Sequence, residues 1–243
     1  MYQNIAVIGA SGTIGRAFVN LLSSSYPNAN IHAFSRYNTV PAKLPSLDNV
    51  QYHGLDYQDE LSIQAAAMST IENGPLDLVV VTTGVLHDGE LVPEKSLHDL
   101  SAQNFRLLFE ANTILPALLI KHFSSLLEVN KPSVFAVLSA RVGSISDNKL
   151  GGWYAYRASK AALNMIIKNA AIEIRRKYKK AVIIGLHPGT VDSPLSAPFQ
   201  RHVPEGKLFT ADFSVQSLLN VINQVDPAQS GQCLAWDGQQ IEA

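Results

Sequence analysis

The sequence predicts an α/β fold, a doubly wound parallel sheet of about seven strands with helices on both faces. Three observations predict it. Short apolar runs alternate with longer amphipathic segments along all 243 residues, the pattern of repeated strand–helix–strand units. The run Leu78-Val79-Val80-Val81 has no polar alternation, which fits a strand covered on both faces. A glycine-rich turn, Gly9-Ala10-Ser11-Gly12-Thr13-Ile14-Gly15, joins the first apolar run to the first amphipathic one, where such a sheet opens its ligand crevice.

In chain order, residues 5–8 read as a strand and 14–22 as a helix. Residues 31–34 and 50–55 are the second and third strands, 60–71 a helix and 78–82 a strand. A long helical stretch follows over about 100–127, then a strand at 134–138 and a second long helix at 155–178. Residues 182–186 form a strand, 213–225 a helix and 233–236 a last short strand. The longest irregular stretch, from Pro194 to Pro204, is expected to be a loop over a site. No internal repeat, low-complexity tract or shift in composition marks a boundary, so 1–243 is expected to be one domain.

Hydrophobic residues make up 47% and charged residues 16%, which suits a buried core rather than a disordered chain. The formal net charge of -1 calls for neither nucleic acid nor an anionic membrane. The basic run Arg175-Arg176-Lys177-Tyr178-Lys179-Lys180 ends a helix, where cations meet the negative end of its dipole. Cys233 is the only cysteine, so no intramolecular disulfide is possible and a reducing compartment is expected. The chain enters its first strand straight after Met1-Tyr2-Gln3-Asn4 with no basic leader, and no apolar run could span a bilayer. A cytoplasmic protein is expected. No cluster of His, Cys, Asp or Glu has metal-ligand spacing, and neither His-Glu-x-x-His nor Gly-x-Ser-x-Gly occurs.

Tyr156 and Lys160 stand four apart in a helical stretch, one turn apart on one face. Bringing a phenol from a pKa of roughly 10 to near 7 takes about 4 kcal/mol. A cation ~4 Å away at an effective dielectric of ~20 supplies about that much. Such a tyrosine trades protons with an alcohol or carbonyl oxygen at neutral pH. A solvated helix face is the competing reading of the spacing alone.

The glycine turn has strand before and helix after. Its glycines allow the tight turn and close backbone approach, and the helix N-terminus presents free N–H groups to phosphates. Gly9, Ser11, Gly12, Thr13, Ile14 and Gly15 are thus candidates for a dinucleotide's pyrophosphate, in a Rossmann-type arrangement. Ser35-Arg36 ends the second strand with no Asp or Glu beside it. An acid there would bind the ribose hydroxyls, whereas arginine suits a 2′-phosphate, so NADP is favoured over NAD. Asp56 could bond the adenine amino group or could equally be a turn or helix-capping aspartate.

With the glycine turn, Asn112, a serine at a strand end and Tyr156-x-x-x-Lys160 in this order, the chain resembles the short-chain dehydrogenase/reductase family over essentially its whole length. In detail it is similar to the C-factor-like branch, through Ser139-Ala140-Arg141-Val142-Gly143-Ser144-Ile145 and through residues 151–164, Gly-Gly-Trp-Tyr-Ala-Tyr-Arg-Ala-Ser-Lys-Ala-Ala-Leu-Asn. The resemblance implies Tyr156 as proton donor and acceptor. It implies Lys160 as the residue that holds the nicotinamide ribose and depresses the Tyr156 pKa. Asn112 would anchor a water linking Lys160 to solvent. Pro188, Gly189, Val191 and Ser193 match the family's Pro-Gly-x-Val-x-Thr beside the nicotinamide, and Thr83 and Gly84 stand where its Asn-Asn-Ala-Gly ends. A homodimer or homotetramer built on the two long helices is also implied.

Three departures stand out. The glycine turn is spaced Gly-x-x-Gly-x-x-Gly, as in extended and atypical members, where classical ones place the middle glycine one residue later. Val81-Thr82-Thr83-Gly84 lacks the family's asparagines. The position of the family's carbonyl-binding serine is Ala140. The role is assigned to Ser139, at the point where the strand should end, although neighbouring strand residues face opposite ways and the backbone must turn there; Ser144 is a possible stand-in.

Other candidates weigh less. His87 and Asp88 could contact substrate or be a solvated loop pair, and His187 reads as a buried, hydrogen-bonded histidine. Leu195, Phe199, Val203, Leu208 and Phe209 could wall an apolar substrate pocket or pack on the body of the protein. The expected function is an NADP(H)-dependent oxidoreductase acting on a small, apolar carbonyl or alcohol. An NADP(H)-binding sensor with weak or no chemistry is the alternative. A nucleotide-sugar epimerase shares the glycine spacing but needs more chain after Ser193 than is present.

Overall fold

A computed structural model describes residues 2–36 and 46–243. Its centre is an eight-stranded sheet in the order β3-β2-β1-β4-β5-β6-β9-β10. The strands are β1 (Asn4–Ile8), β2 (Asn30–Ser35), β3 (Val50–Gly54), β4 (Leu78–Val81), β5 (Ser133–Leu138), β6 (Ala181–His187), β9 (Cys233–Ala235) and β10 (Gln240–Ile241). Seven run parallel, and β10 adds an antiparallel edge to β9. Between them, β7 (Thr190–Val191) pairs with β8 (Leu208–Phe209) as a separate two-stranded ribbon.

Strand alternation builds two cores. Ile5, Val7, Leu78, Val80, Val134 and Ala136 face α1 (Thr13–Ser25) and α6 (Ala211–Gln224), whose Phe18, Leu22, Val215 and Leu218 complete that layer. Ala6, Ile8, Val79, Val81, Phe135 and Val137 face the opposite layer. It is built from α2 (Glu60–Ser69), α4 (Leu115–Phe123) and α5 (Tyr154–Lys177), through residues such as Ile63, Leu119, Phe123 and Leu163. Both faces of β1 and β4 are fully buried, which is why their sequences lack polar alternation. The basic residues Arg175, Arg176 and Lys177 occupy the last turn of α5, as the dipole favours.

The long helix expected over 100–127 is broken. It consists of α3 (Ala102–Phe109), a π-helical turn at Glu110–Ile114, α4, and a short 3₁₀ turn at Ser124–Leu126. Pro116 has no backbone N–H, so the carbonyl of Asn112 cannot receive its ordinary i+4 hydrogen bond. One turn widens in response, and the Leu115 N–H bonds the Glu110 carbonyl, five residues back. The 194–204 stretch is not wholly irregular either, since Ala197–His202 forms a 3₁₀ turn. Among the described residues no helix is long and apolar enough to cross a membrane.

Asn4 ties the start of the sheet to the turn after α2. It is 1% exposed, and its Nδ2 donates to the Thr70 and Gly74 carbonyls at 2.8 and 2.7 Å. Asn4→Ala leaves both carbonyls without that donor and should lower unfolding stability by about 2 kcal/mol. A urea midpoint unchanged from the parent protein contradicts this.

Candidate active site

The strand order reverses between β1 and β4, which opens a crevice at their C-terminal ends. A cleft of about 1090 Å³ lies there, and Gly9, Ser11, Gly12, Arg36, Asp56, Thr83 and Gly84 all line it. Thr13 and Ile14 open α1, and Gly15 is buried one step further in. Gly9 has φ +91°, and a Cβ there would stand 2.5 Å from Thr82 Oγ1. A Cβ on Gly15 would collide with the Gly9 carbonyl. The turn therefore admits side chains at neither position. Gly12 supplies no side-chain cap to α1, and the first turn carries no acidic residue. Its N–H groups are left to an anion.

Two residues of this cleft were missed from sequence. Thr82 Oγ1 donates to the carbonyls of Ile8 and Gly9 at 2.9 and 3.2 Å, locking the glycine turn to the end of β4. Tyr57 lies between Arg36 and Gly9, and burial pushes its phenol up to about 12 against the pull of the Arg36 guanidinium. Only the order of the motifs could have hinted at Thr82, which fills an asparagine position of the family. Asp56 does what its turn reading expected: its Oδ1 accepts the Gln58 N–H at 2.9 Å, while Asp59 caps α2.

At the inner end of the cleft, Gly84 separates it from Lys160. A Cβ on Gly84 would lie 3.6 Å from both Lys160 Nζ and Asn112 Oδ1. Asn112 is fully buried in the π-helical turn. Its Oδ1 accepts the Val85 N–H at 2.9 Å, and its Nδ2 donates to the Val85 carbonyl and to Ser159 Oγ at 2.8 and 3.2 Å. Lys160 is 3% exposed and donates to the Leu138 carbonyl at 3.0 Å. Burial lowers its pKa to about 8. Tyr156 is buried too, with Lys160 Nζ 6.0 Å from its ring centre.

The expected depression of the Tyr156 pKa is not what the chain produces. Burial pushes the phenol up to about 12. The calculation from spacing assumed a fully charged neighbour at contact distance and no loss of hydration. Here the ammonium is turned to Leu138, and desolvation, which penalises the charged form of either group, wins.

Ser139 corrects a second expectation. Its Oγ donates to Asn164 Oδ1 at 2.6 Å, and its neighbour on that side is the buried Cys233. Ala140 packs in the apolar cluster with Tyr156. Strand alternation has kept Ser139 away from the phenol. Ser144 is also engaged, accepting the Asp147 N–H at 3.1 Å with Ser146 Oγ 3.3 Å away.

Pro188, Gly189, Val191 and Ser193 leave the C-terminal end of β6. The Pro188 carbonyl accepts from Ser214 Oγ at 2.7 Å, and Gly189 lies against the Phe209 ring. Val191 is buried in β7, and Ser193 Oγ donates to its carbonyl at 3.2 Å. Of the apolar residues expected to wall a pocket, Phe199 joins the Tyr156 cluster through Trp153, with ring centres 4.9 Å apart. Phe209 packs instead on Phe213 and Trp236, and Leu208 is exposed. His87 Nε2 lies 3.2 and 3.1 Å from the Pro194 and Leu195 carbonyls, so it fastens the 194–204 segment. Asp88 lines the cleft. His187 is partly buried, and its Nδ1, out of contact with solvent, has no partner among the described residues. Burial, helped by Arg141, lowers its pKa to about 4. Among the described residues no cluster could hold a metal ion.

The cleft suits a dinucleotide. It offers an uncapped helix start, a guanidinium at the mouth, the buried and unpartnered Thr83 Oγ1, and open space over Gly84 toward Lys160.

Comparison with known proteins agrees with this geometry. The sequence pattern of the short chain dehydrogenase family matches residues 3–203. A 1-hydroxy-2-glutathionyl-2-methyl-3-butene dehydrogenase of Rhodococcus sp. (strain AD45) is 31% identical over 186 residues, 76% of this chain and 76% of that protein. The C-signal protein of Myxococcus xanthus is 28% identical over 176 residues, 72% of this chain and 98% of its own. Among solved structures, an NADPH-bound carbonyl reductase from chicken fatty liver superimposes with a TM-score of 0.83 at 24% identity, over 98% of this chain and 93% of that one. The carbonyl reductase Sniffer of D. melanogaster gives 0.86 at 19%, over the whole of both chains.

Burial of Lys160 makes stability depend on pH with a definite sign. Its folded pKa, about 8, lies below the ordinary 10.5. Between those values the unfolded chain binds the extra proton, so this group's contribution improves as pH rises and is worst below 8. Lys160→Met should therefore stabilise the protein by about 2 kcal/mol at pH 7, a gain that fades toward pH 10.5. Denaturant titrations of both proteins at pH 7 and pH 10 test it, and a pH-independent difference rules it out.

Proposed function

The chain belongs to the short chain dehydrogenase family and is an oxidoreductase, and on that premise we propose that it uses NADP(H) to reduce the carbonyl group of a small apolar substrate, or to oxidise the matching alcohol. One observation carries this reading. Lys160 Nζ and Asn112 Oδ1 both lie just behind Gly84, each 3.6 Å from where a Cβ on it would stand, and Gly84 lines a cleft that Arg36 also lines.

The residues present would divide the cofactor between them. The turn Gly9–Gly15 and the α1 start would take the pyrophosphate, and Arg36 the 2′-phosphate. Asp56 and Tyr57 wall the adenosine end of the cleft. Thr83, Gly84, Pro188, Gly189, Val191 and Ser193 would border the nicotinamide, and Tyr156 and Lys160 its ribose. When bound, the nicotinamide supplies or accepts the hydride at its C4.

The remaining work falls to the chain. Tyr156 gives its hydroxyl proton to the carbonyl oxygen. Burial holds the phenol up to about 12, so it carries its proton throughout the neutral range. Lys160, mostly charged below its pKa of about 8, orients the ribose and restores the proton. Asn112, its amide fixed to Val85 and its carbonyl deprived of an i+4 donor by Pro116, would hold the water that leads from Lys160 to solvent. The cluster of Val85, Leu86, Ala140, Val142, Trp153 and Phe199 around Tyr156 supports an apolar substrate. Exposed Leu107 and Ile114, with Met165 and Ile172 on α5, support self-association into a homodimer or homotetramer through the long helices.

Ala140 beside Tyr156, with Ser139 committed to Asn164, favours one other reading, a sensor that binds NADP(H) without turnover. NADPH consumption over a panel of aldehydes and ketones separates the two, since tight binding with no turnover on any of them favours the sensor.

Tyr156→Phe should lower carbonyl reduction at least about 100-fold while leaving the NADPH Kd within about threefold. Undiminished turnover in that variant would falsify the proton-donor assignment. Arg36→Ala should weaken NADPH binding about tenfold and leave NADH unaffected. Equal effects on the two nucleotides, read by fluorescence titration, would remove the basis for NADP preference.

A further inference from the structure

Glu94 lies outside every motif described above, and its surroundings are unusual. It is 1% exposed, against 9% for Asp77, the other buried carboxylate among the described residues. No lysine, arginine or histidine among the described residues forms an ion pair with it. Its contacts converge on the first turn of α5. The Glu94 carbonyl accepts the Trp153 N–H at 2.5 Å, and Glu94 Oε2 accepts the Ala155 N–H at 3.2 Å. The second oxygen, Oε1, is buried without a partner.

The start of α5 lacks a cap of the kind that three other helices have. α2, α3 and α6 are capped by the side chains of Asp59, Ser101 and Thr210, each at its own N-cap. At α5 that position is Trp153, which has no side-chain acceptor. Trp153 is also the one non-glycine residue with positive φ among the described residues, at φ 51° and ψ 43°. That left-handed backbone is unfavourable for an aromatic residue and persists only where its surroundings impose it. No acidic residue occurs in the first turn, although the positive end of a 24-residue helix favours one. The Glu94 carboxyl group, sixty-one residues away, supplies the missing acceptor and the missing acid, while the main-chain carbonyl of the same residue holds the Trp153 N–H.

We propose that Glu94 is the external N-cap of α5 and a positioning residue for Tyr156. The amide its carboxyl group holds belongs to Ala155, immediately before Tyr156, and on the other side of that amide is Trp153, whose N–H the Glu94 main-chain carbonyl accepts and whose indole lies 6.2 Å from the phenol ring and 4.9 Å from Phe199. Losing the cap frees the turn that aims the phenol, without touching the cleft around Gly9 and Arg36. The effect on catalysis rests on Tyr156 being the proton donor, whereas the cap itself does not.

The test uses the full chain with Glu94→Ala and Glu94→Gln. Glu94→Gln keeps an acceptor oxygen of the same reach. Hydrogen exchange should speed up about five- to tenfold over residues 154–157 in E94A, with the middle of α5 unchanged and E94Q within about twofold of the parent. In NADPH-dependent carbonyl reduction, kcat should fall between about 10- and 100-fold in E94A, with KM for NADPH unchanged and E94Q restoring most of the rate. Unchanged exchange in E94A overturns the cap. Faster exchange with undiminished kcat overturns the positioning role, as does an equal loss in E94Q. Should E94A not fold, E94D, one methylene too short to reach Ala155, takes its place. A parent protein that reduces no carbonyl refutes the proposed activity, and the exchange measurement then still decides the cap.

Discussion

The site depends on an ammonium group kept out of water. Lys160 has almost no exposed surface and, among the described residues, only the Leu138 carbonyl as a hydrogen-bond acceptor, so its charge is disfavoured there and its pKa drops. Several parts of the fold are arranged around that one group. β5 ends at Leu138, so its carbonyl points to Nζ rather than into the ladder. The turn after β5 approaches so closely that a Cβ on Gly143 would stand 2.9 Å from the Lys160 Cβ. Gly84 leaves the remaining direction open toward the cleft. The ammonium has two further N–H donors, and the cleft is where polar partners for them can come from.

The same burial acts on Tyr156 with the opposite sign. Desolvation favours the neutral form of both groups, raising the phenol and lowering the ammonium. A pair held this way gives away a phenolic proton readily only to an oxygen that gains negative charge as it reacts, which describes a carbonyl accepting hydride. Ala140, in place of a hydroxyl, packs with Tyr156 in an apolar cluster. In such surroundings the aim of the phenol is left to packing and to the backbone that carries it.

Much of this was legible in the sequence, and the failures have physical causes. Strands and helices were readable because apolar runs and amphipathic segments follow their own periods. β7, β8 and β10 are two residues each, too short to show any period. The carbonyl-binding role was given to Ser139 on the condition that the backbone turns at the strand end, whereas its hydroxyl is bonded to Asn164. The Tyr156 pKa was misjudged because spacing reports how near a charge stands along a helix, whereas burial depends on every element packed around it. Thr82 and Glu94 were illegible for a related reason. Their partners lie seventy-three and sixty-one residues away, and no local pattern records such a meeting.

The break in the long helix shows how a single residue can link these levels. Pro116 removes one donor, the chain widens into a π turn, and the register of side chains changes between α3 and α4. α3 can then pack on α5 while α4 packs on α2. Asn112 sits in the widened turn, and its amide meets the Val85 backbone with both a donor and an acceptor, as a neighbouring strand would. That double bond fixes the chain just past Gly84, and with it the opening between the cleft and Lys160. The proline is therefore part of the site although it touches none of the reacting atoms. A regular helix through this region would be a better helix and would aim Asn112 elsewhere.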